Sequence, residues 1–303
     1  MRIAFAGSPP AAVTVMERLI AAGHSVACVI TQPDRPRGRG GKTIPTAVGK
    51  AALDRGLDLW RPATINDPAV LDDLRALDVG ALCVVGFGQL LKDDVLSGWT
   101  CINVHFSLLP AYRGAAPVER AIMDGLTTTG VTIMQMDAGL DTGPMIATEE
   151  IAIAPQDDAG VILNRLAEVG GDLLGGVLSG METAPLEVTP QPDGGESYAA
   201  KIGDEDRWLD RTASPAHEVD RIRALSPHIG VRLQIGGQPF KLWRAAVSDT
   251  VPPDAGTAVA SDASLLVAVG DGAIAIDELQ PPGKGRMAAV DFLRGWRGDL
   301  TLT

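Results

Sequence analysis

Cysteine is scarce in this 303-residue chain: Cys28, Cys83 and Cys101 are the only three, each inside an apolar run that reads as a strand. No CxxC pair and no Cys/His spacing suited to a metal appears. That argues against a disulfide framework and a structural zinc, and the thiols read as small buried hydrophobes of a reducing compartment. Long apolar runs are missing too, since none reaches the roughly 18 to 20 residues that a membrane-spanning helix needs. The opening stretch MRIAFAGSPP enters a strand directly, without the apolar core of a signal peptide, so a cytoplasmic location is expected. After the first strand stands one glycine, Gly7, where a dinucleotide fingerprint has three, and no acidic residue closes the second strand, so NAD is not expected. The Gly-rich stretch ending at Lys42 is too short for a Walker loop. Ser107 lies in Phe106-Ser107-Leu108, not on the Gly-flanked elbow that a serine nucleophile uses. Positive charge is in deficit, 26 Lys+Arg against 38 Asp+Glu, a net charge of −12. The sum counts mildly against a nucleic-acid partner, but local charge decides such binding. Two basic clusters stand out of the acidic background: Arg35, Arg37, Arg39 and Lys42, and Lys284, Arg286, Arg294 and Arg297.

What is present describes a globular chain, 46% hydrophobic and 21% charged, long enough for two domains. Strand, helix and strand alternate from residue 2 to 31, with near-continuous apolar strands and Gly23 closing the first helix. That pattern predicts a parallel sheet covered on both faces. Residues 32–42 (QPDRPRGRGGK) read as a loop, and an Arg-rich loop at a strand's carboxyl end suits an RNA backbone. Helices are expected over 45–55, 68–77, 117–123 and 159–179, and strands near 58–60, 79–85, 131–136 and 145–154. Prolines and a Gly pair mark a linker over 182–204. A helix over 214–225 follows, then short strands at 230–236, 238–247, 256–260, 264–269 and 272–279, and a last helix near 288–295. Close turns at Gly236-Gly237 and Gly270-Asp271-Gly272 support a small antiparallel barrel. The expected architecture is therefore α/β, a Rossmann-like, mostly parallel sheet domain over 1–181 and an OB-like β-barrel domain over 205–303.

Chemistry concentrates in INVHFSLLPAYRGAAP, residues 102–117. Strand side chains alternate, so Asn103 and His105 share one face near the strand's carboxyl end, where ligands of open α/β sheets sit. Without an enzyme nucleophile, the attacker belongs to the substrate, for example an amine. Asn103 and His105 then donate hydrogen bonds to an oxyanion forming on a carbonyl. Asp141, held between two glycines in DAGLDTGP, orients His105 or takes the amine's proton through water. The two glycines of Gly86-Phe87-Gly88 let backbone approach a flat ring closely.

These segments, with AFAGSP, TQPDRPRGRGGK, GVTIMQMDAGLDTG and LQPPGKGRM, resemble the methionyl-tRNA formyltransferases of the folate-dependent formyltransferase family along nearly the whole chain. The resemblance implies transfer of a formyl group from formyl-tetrahydrofolate to the amino group of methionine on initiator tRNA, with no metal. It maps Asn103, His105 and Asp141 onto the catalytic trio. It maps Ser107, Leu108, Leu109 and Pro110 onto the folate-contacting run, and Gly86, Phe87, Gly88 and Leu90 onto the loop beside the pterin. It maps Arg35, Arg37, Arg39 and Lys42 onto the segment engaging the tRNA acceptor end, and the second domain, with Lys284 and Arg286, onto the RNA-binding domain. A monomer is expected. Phe106 stands where relatives usually have Gly and is expected to narrow the space beside His105; Gly86-Phe87-Gly88-Gln89 and Arg211 also depart from the usual pattern. Three rivals stay open: a sugar-nucleotide formyltransferase, a formyl-tetrahydrofolate hydrolase, and a non-catalytic tRNA-binding protein on the same scaffold.

Overall fold

Strands that are apolar on both sides must be covered on both faces, and the computed structural model, which describes residues 1–37, 42–261 and 263–302, provides that cover. In order the chain forms β1 (Arg2–Gly7), α1 (Pro10–Ala21), β2 (Ser25–Ile30), β3 (Arg35–Arg37), β4 (Lys42–Ile44), α2 (Ala47–Asp54) and β5 (Leu59–Trp60). Then come α3 (Pro68–Ala76), β6 (Ala81–Val85), α4 (Asp93–Gly98), β7 (Cys101–His105), β8 (Arg113–Gly114), α5 (Pro117–Met123), β9 (Thr128–Gln135) and β10 (Met145–Ala152). Next are α6 (Ala159–Met181), β11 (Tyr198–Ala199), α7 (Pro215–Leu225), β12 (Val231–Ile235), β13 (Gln238–Ser248) and β14 (Val259–Ala260). The chain finishes with β15 (Leu265–Val269), β16 (Gly272–Gln280), β17 (Met287–Ala288) and α8 (Ala289–Gly295). Helix starts follow local chemistry. Thr46 and Asp67 accept from the amides of Gly49 and Ala69, and Pro68 and Pro215 occupy first-turn positions.

Two compact units result: Met1–Gly114 with Thr129–Ile151 and Leu163–Tyr198, and Ala115–Thr128 with Ala152–Ile162 and Ala199–Thr303. The first is built on a seven-stranded sheet of order β10-β9-β7-β6-β1-β2-β5. Strands β7, β6, β1, β2 and β5 run parallel, and β9 joins β7 antiparallel. Chain order runs outward from β1 to β2 and β5, then restarts on β1's other side with β6 and β7. That reversal opens a crevice at the carboxyl ends of β1 and β6, the place where such sheets bind ligands. One face of the sheet is closed by a cluster including Ala4, Ala6, Ile30, Leu74, Leu82, Val84 and Phe87. On α6, a Cβ added at Gly170 would lie 2.8 Å from Val104, and one at Gly171 would lie 2.7 Å from Arg18, so these glycines let the helix lie close to the sheet and to α1. Phe106 also reaches toward Gly170, 3.8 Å from that position. Its ring lies with Val104 on the helix-covered side and does not narrow the space beside His105, because neighbouring strand residues point to opposite faces. Cys28, Cys83 and Cys101 are free and buried, and burial pushes their thiols up to about 12.

Two expectations change, and a third is met in its coarser form. Residues 32–42 are not a plain loop, since Arg35–Arg37 pairs antiparallel with Lys42–Ile44. The stretch 182–204, expected as a spacer, makes specific bonds: Thr189 bridges Met145, and the Arg113 amide donates to the Ser197 carbonyl at 2.8 Å. In the second unit a separate antiparallel sheet has the order β12-β13-β16-β15-β14, with β17 on β16. Among the described residues these strand pairs leave the sheet open and do not close it into a barrel.

Within the second unit, Glu218 on α7 is fully buried, accepts from the Asp210 amide at 3.2 Å and lies 3.3 Å from Arg221. Burial outweighs that cation and pushes its carboxyl from 4.5 up to about 7. A carboxyl with a raised folded value binds its proton more tightly in the folded chain. Its contribution is therefore complete at acid pH and is lost as pH rises from the unfolded value through the folded one. Glu218→Gln, which does not titrate, is expected to gain stability relative to the parent between about pH 5 and about pH 8. Thermal melts across that range check it; a parent-to-variant difference that does not change with pH would contradict it.

Candidate active site

Asn103 and His105 stand two apart on β7, in register with Met134 and Thr132 of β9. Both are buried, at 8% and 5% exposure. Among the described residues no protein group bonds the Asn103 side-chain amide. The amide is not among the sealed-off unpaired groups, so it stays open to a ligand or water that can satisfy it.

His105 is held at one nitrogen. Nε2 lies 2.9 Å from the Tyr112 carbonyl, which only accepts, so Nε2 carries the proton and donates. The other ring nitrogen, Nδ1, lies 3.7 Å from Asp141 Oδ2. The same carboxylate oxygen accepts from the Gly114 amide at 2.8 Å. The Tyr112–Gly114 turn therefore fixes the imidazole through a carbonyl and the carboxylate through an amide, two residues apart.

Asp141 owes its position to its loop. Asp137 accepts from the Gly139 amide at 3.0 Å and from the Thr142 hydroxyl at 2.8 Å. Asp141 itself adopts a left-handed backbone, φ 53°, a conformation that Asp tolerates better than most side chains. A Cβ at Gly143 would lie 1.9 Å from the Gln135 carbonyl oxygen, so only glycine lets the loop return to β9 there. Gln191 closes the structure by donating from Nε2 to the carbonyls of Asp141 and Gly143, both at 2.8 Å. Sequence reading missed Gln191 because it lies in a proline-rich stretch with the composition of a linker.

The other expected contacts are placed as follows. Ser107 is buried and its hydroxyl donates to the Ala111 carbonyl at 2.6 Å. Thr132 Oγ1 donates to the Ser107 carbonyl at 2.7 Å and accepts from the Leu109 amide at 3.1 Å. Leu109 and Pro110 are buried and joined by a cis peptide, and Leu108 is half-buried. Gly86 and Gly88 are exposed with φ of 53° and 76°, which suits glycine. The Phe87 side chain, 2% exposed, belongs to the core cluster. Only its backbone faces the crevice, where its carbonyl accepts from Gln32 Nε2 at 3.1 Å and from the Ser8 hydroxyl at 3.3 Å. Leu90 is 70% exposed and lines a shallow depression of about 430 Å³ with Leu91 to Asp94 and Ala138 of the Asp141 loop.

Of the basic residues, Arg35 is exposed on β3, Arg37 and Lys42 close the β3–β4 pair, and Arg39 lies outside the described residues. In the second unit the Arg286 guanidinium sits 3.4 Å from the Trp243 ring centroid and donates to the Pro227 carbonyl. Lys241 Nζ lies 5.3 Å from the same ring, and Arg232, its cross-strand partner, lies over Trp208. Burial and the neighbouring Arg232, Arg286 and Arg207 lower the Lys241 ammonium below its ordinary value. Lys284 is exposed beside this cluster. Sequence reading found Lys284 and Arg286 but missed Arg232 and Lys241; both fall on strands where alternation with buried neighbours would have shown a cationic face. No group of metal ligands is present among the described residues, and none of their helices is long and apolar enough to cross a membrane.

The chain is similar to known proteins along nearly its whole length. Residues 1–178 match the family described as Formyl transferase, and residues 201–297 match Formyl transferase, C-terminal domain. The chain is 42% identical over 301 residues to the methionyl-tRNA formyltransferase of Halorhodospira halophila, covering 98% of this chain and 96% of that one. It is 41% identical over 300 residues to the enzyme of that name in Caulobacter vibrioides, covering 98% and 97%. Among solved structures the fold resembles HypX from Aquifex aeolicus in complex with tetrahydrofolic acid, with TM-score 0.68 and 18% identity, covering 100% of this chain and 50% of that one. It also resembles WlaRD, a sugar 3N-formyl transferase, with TM-score 0.63 and 18% identity, covering 94% and 99%.

Proposed function

The chain belongs to the formyl transferase family, and from that premise we propose that it moves a formyl group from formyl-tetrahydrofolate to the amino group of methionine on initiator tRNA. The observation that carries the chemistry is the Asn103 amide, bonded to no protein group among the described residues, on the same strand face as an imidazole that is tied at Nε2 and faces Asp141 at Nδ1. The folate supplies the formyl carbon: a carbon–nitrogen bond forms to the attacking amine, the one to the folate nitrogen breaks, and that nitrogen takes up one proton for the one the attacking amine gives up. Asn103 donates to the oxygen on which negative charge develops, a preorganised interaction worth about 3 to 4 kcal/mol for a well-aimed donor. His105 Nδ1 holds or releases a proton at the reacting centre, while the Tyr112 carbonyl keeps the ring in one orientation. Asp141 stabilises the protonated ring and receives, through water, the proton that the attacking amine loses. No residue of the chain forms a covalent bond to the formyl group in this scheme.

Folate binding is assigned to Ser107 to Pro110, which shape the wall after β7, and to Gly86, Phe87, Gly88 and Leu90 along the crevice edge. Ser107 and Phe87 act there through backbone and packing, since their side chains are engaged inside the protein. Arg35, Arg37, Arg39 and Lys42 are assigned to the tRNA acceptor end, and Lys284 and Arg286, with Arg232 and Lys241, to the RNA backbone. We read the second unit's sheet as a variant of the OB fold; support comes from the bridges Ile235–Leu302 and Thr257–Thr301, which bring the chain's end to both β12 and the approach to β14. The domains are read as 1–181 and 205–303, joined by residues 182–204. A cytoplasmic monomer fits, since the buried free thiols suit a reducing compartment and one polypeptide carries both assigned binding surfaces.

Neutralising Arg37 and Arg39 together is expected to raise the KM for tRNA, leave folate binding intact and flatten the salt dependence of tRNA binding, because fewer counterions are released. An unchanged salt slope would remove the segment from RNA recognition. The function itself is tested by offering labelled formyl-tetrahydrofolate with charged initiator tRNA, with an amino-sugar nucleotide, or with no acceptor. Formyl-methionyl-tRNA is the expected product; formyl-sugar alone or free formate alone would replace this reading with a rival.

A further inference from the structure

We propose that Gln191 is a positioning residue of the active site, holding the Asp141 carboxylate and the His105-orienting turn in one fixed relation; the inference rests on the formyl-transfer reading above. Gln191 uses its whole hydrogen-bonding capacity. Its Nε2 donates to the carbonyls of Asp141 and Gly143, and its Oε1 accepts from Arg113 Nε at 3.1 Å and Nη2 at 2.6 Å. The placing of those partners matters more than their number. Arg113 lies between Tyr112, whose carbonyl accepts from His105, and Gly114, whose amide donates to Asp141. On the other side, Asp141 and Gly143 bracket the loop that carries the carboxylate. One side-chain amide therefore joins the two backbone segments that set the 3.7 Å separation of His105 Nδ1 and Asp141 Oδ2.

Other bonds of the loop act differently. The Asp137–Thr142 bonds are internal to the loop and fix its shape but not its distance from Tyr112–Gly114. At the loop's far end the Gln135 amide donates to the Pro144 carbonyl at 2.9 Å, which anchors the loop to β9 and not to the turn. The direct Gly114-to-Asp141 bond holds the side chain but not the backbone that carries it. Gln191 instead grips the Asp141 backbone, and a backbone displacement near 1 Å is enough to cost about 10²-fold in rate when reacting groups must be aligned.

A double-mutant cycle tests this. Gln191→Met keeps the length but removes every bond; it is expected to lower kcat about 10- to 100-fold per folded enzyme, with KM for folate and tRNA within about threefold. In an Asp141→Asn background the same change is expected to cost less than about threefold, because Gln191 acts through the carboxylate. Gln191→Glu serves if the methionine variant does not fold. It still accepts from Arg113 but has no proton for the two carbonyls, and it is expected to lose turnover as Gln191→Met does. Equal losses in both backgrounds would reduce Gln191 to general packing, and parental turnover in either single variant would remove the role. Turnover of the parent is measured first. A parent that transfers no formyl group sinks the functional reading and this inference with it, whereas a working parent with an equally fast variant sinks the inference alone.

Discussion

Alanine at Asn103 or at His105 is expected to lower turnover about 10²- to 10³-fold, the loss that follows removal of a single oxyanion donor. For Asn103 the loss should appear in kcat and kcat/KM alike, with KM little changed. Its amide is turned to no protein group, so its strongest bond forms only as charge develops on the formyl oxygen. His105→Ala also removes the proton-exchanging Nδ1 and releases the Tyr112 carbonyl. Initial rates at saturating folate and tRNA measure both variants, with circular dichroism confirming that each is folded. Near-parental turnover in either one would take that residue out of the mechanism.

Replacement of Asp141 by Asn is expected to cost about 10²- to 10⁴-fold in kcat, the range for a group that positions or shares a transferred proton. The substitution separates charge from shape. Asn tolerates the left-handed backbone of φ 53° that this position adopts, and its Oδ1 still accepts from the Gly114 amide. What vanishes is the negative charge 3.7 Å from His105 Nδ1. A variant that binds folate and tRNA normally but turns over within threefold of the parent would show that Asp141 only shapes its loop.

How much of this was legible in the sequence depends on the range of the interaction. Period-two alternation in INVH placed Asn103 and His105 on one face before any coordinates, and near-continuous apolar strands implied a parallel sheet with both faces covered. The helices expected from residues 68 and 214 begin at Pro68 and Pro215. Long-range pairing was not legible. Gln191 lies 50 residues from Asp141, in a stretch whose prolines and glycines resemble a spacer, and nothing local tells a spacer from a segment pinned by side-chain bonds. For the same reason the basic run at 32–42 read as a loop, since its pairing depends on cross-strand register more than on β propensity. The loop Gly86-Phe87-Gly88 read as a backbone wall for a flat ring, and that the Phe87 ring itself packs into the core was not legible. Short strands after residue 230 implied antiparallel hairpins correctly, but closure of a sheet depends on contacts between its first and last strands, which local pattern does not encode.

The central claim is that Asn103, His105 and Asp141 converge on one formyl carbon, and a crystal structure with an unreactive formyl-folate analogue tests it most directly. The formyl oxygen is expected within about 2.7 to 3.1 Å of Asn103 Nδ2, with His105 Nδ1 and the Asp141 carboxylate facing the same carbon. A formyl group bound beyond hydrogen-bonding reach of Asn103 and His105, with both side chains still buried away from it, would contradict the claim.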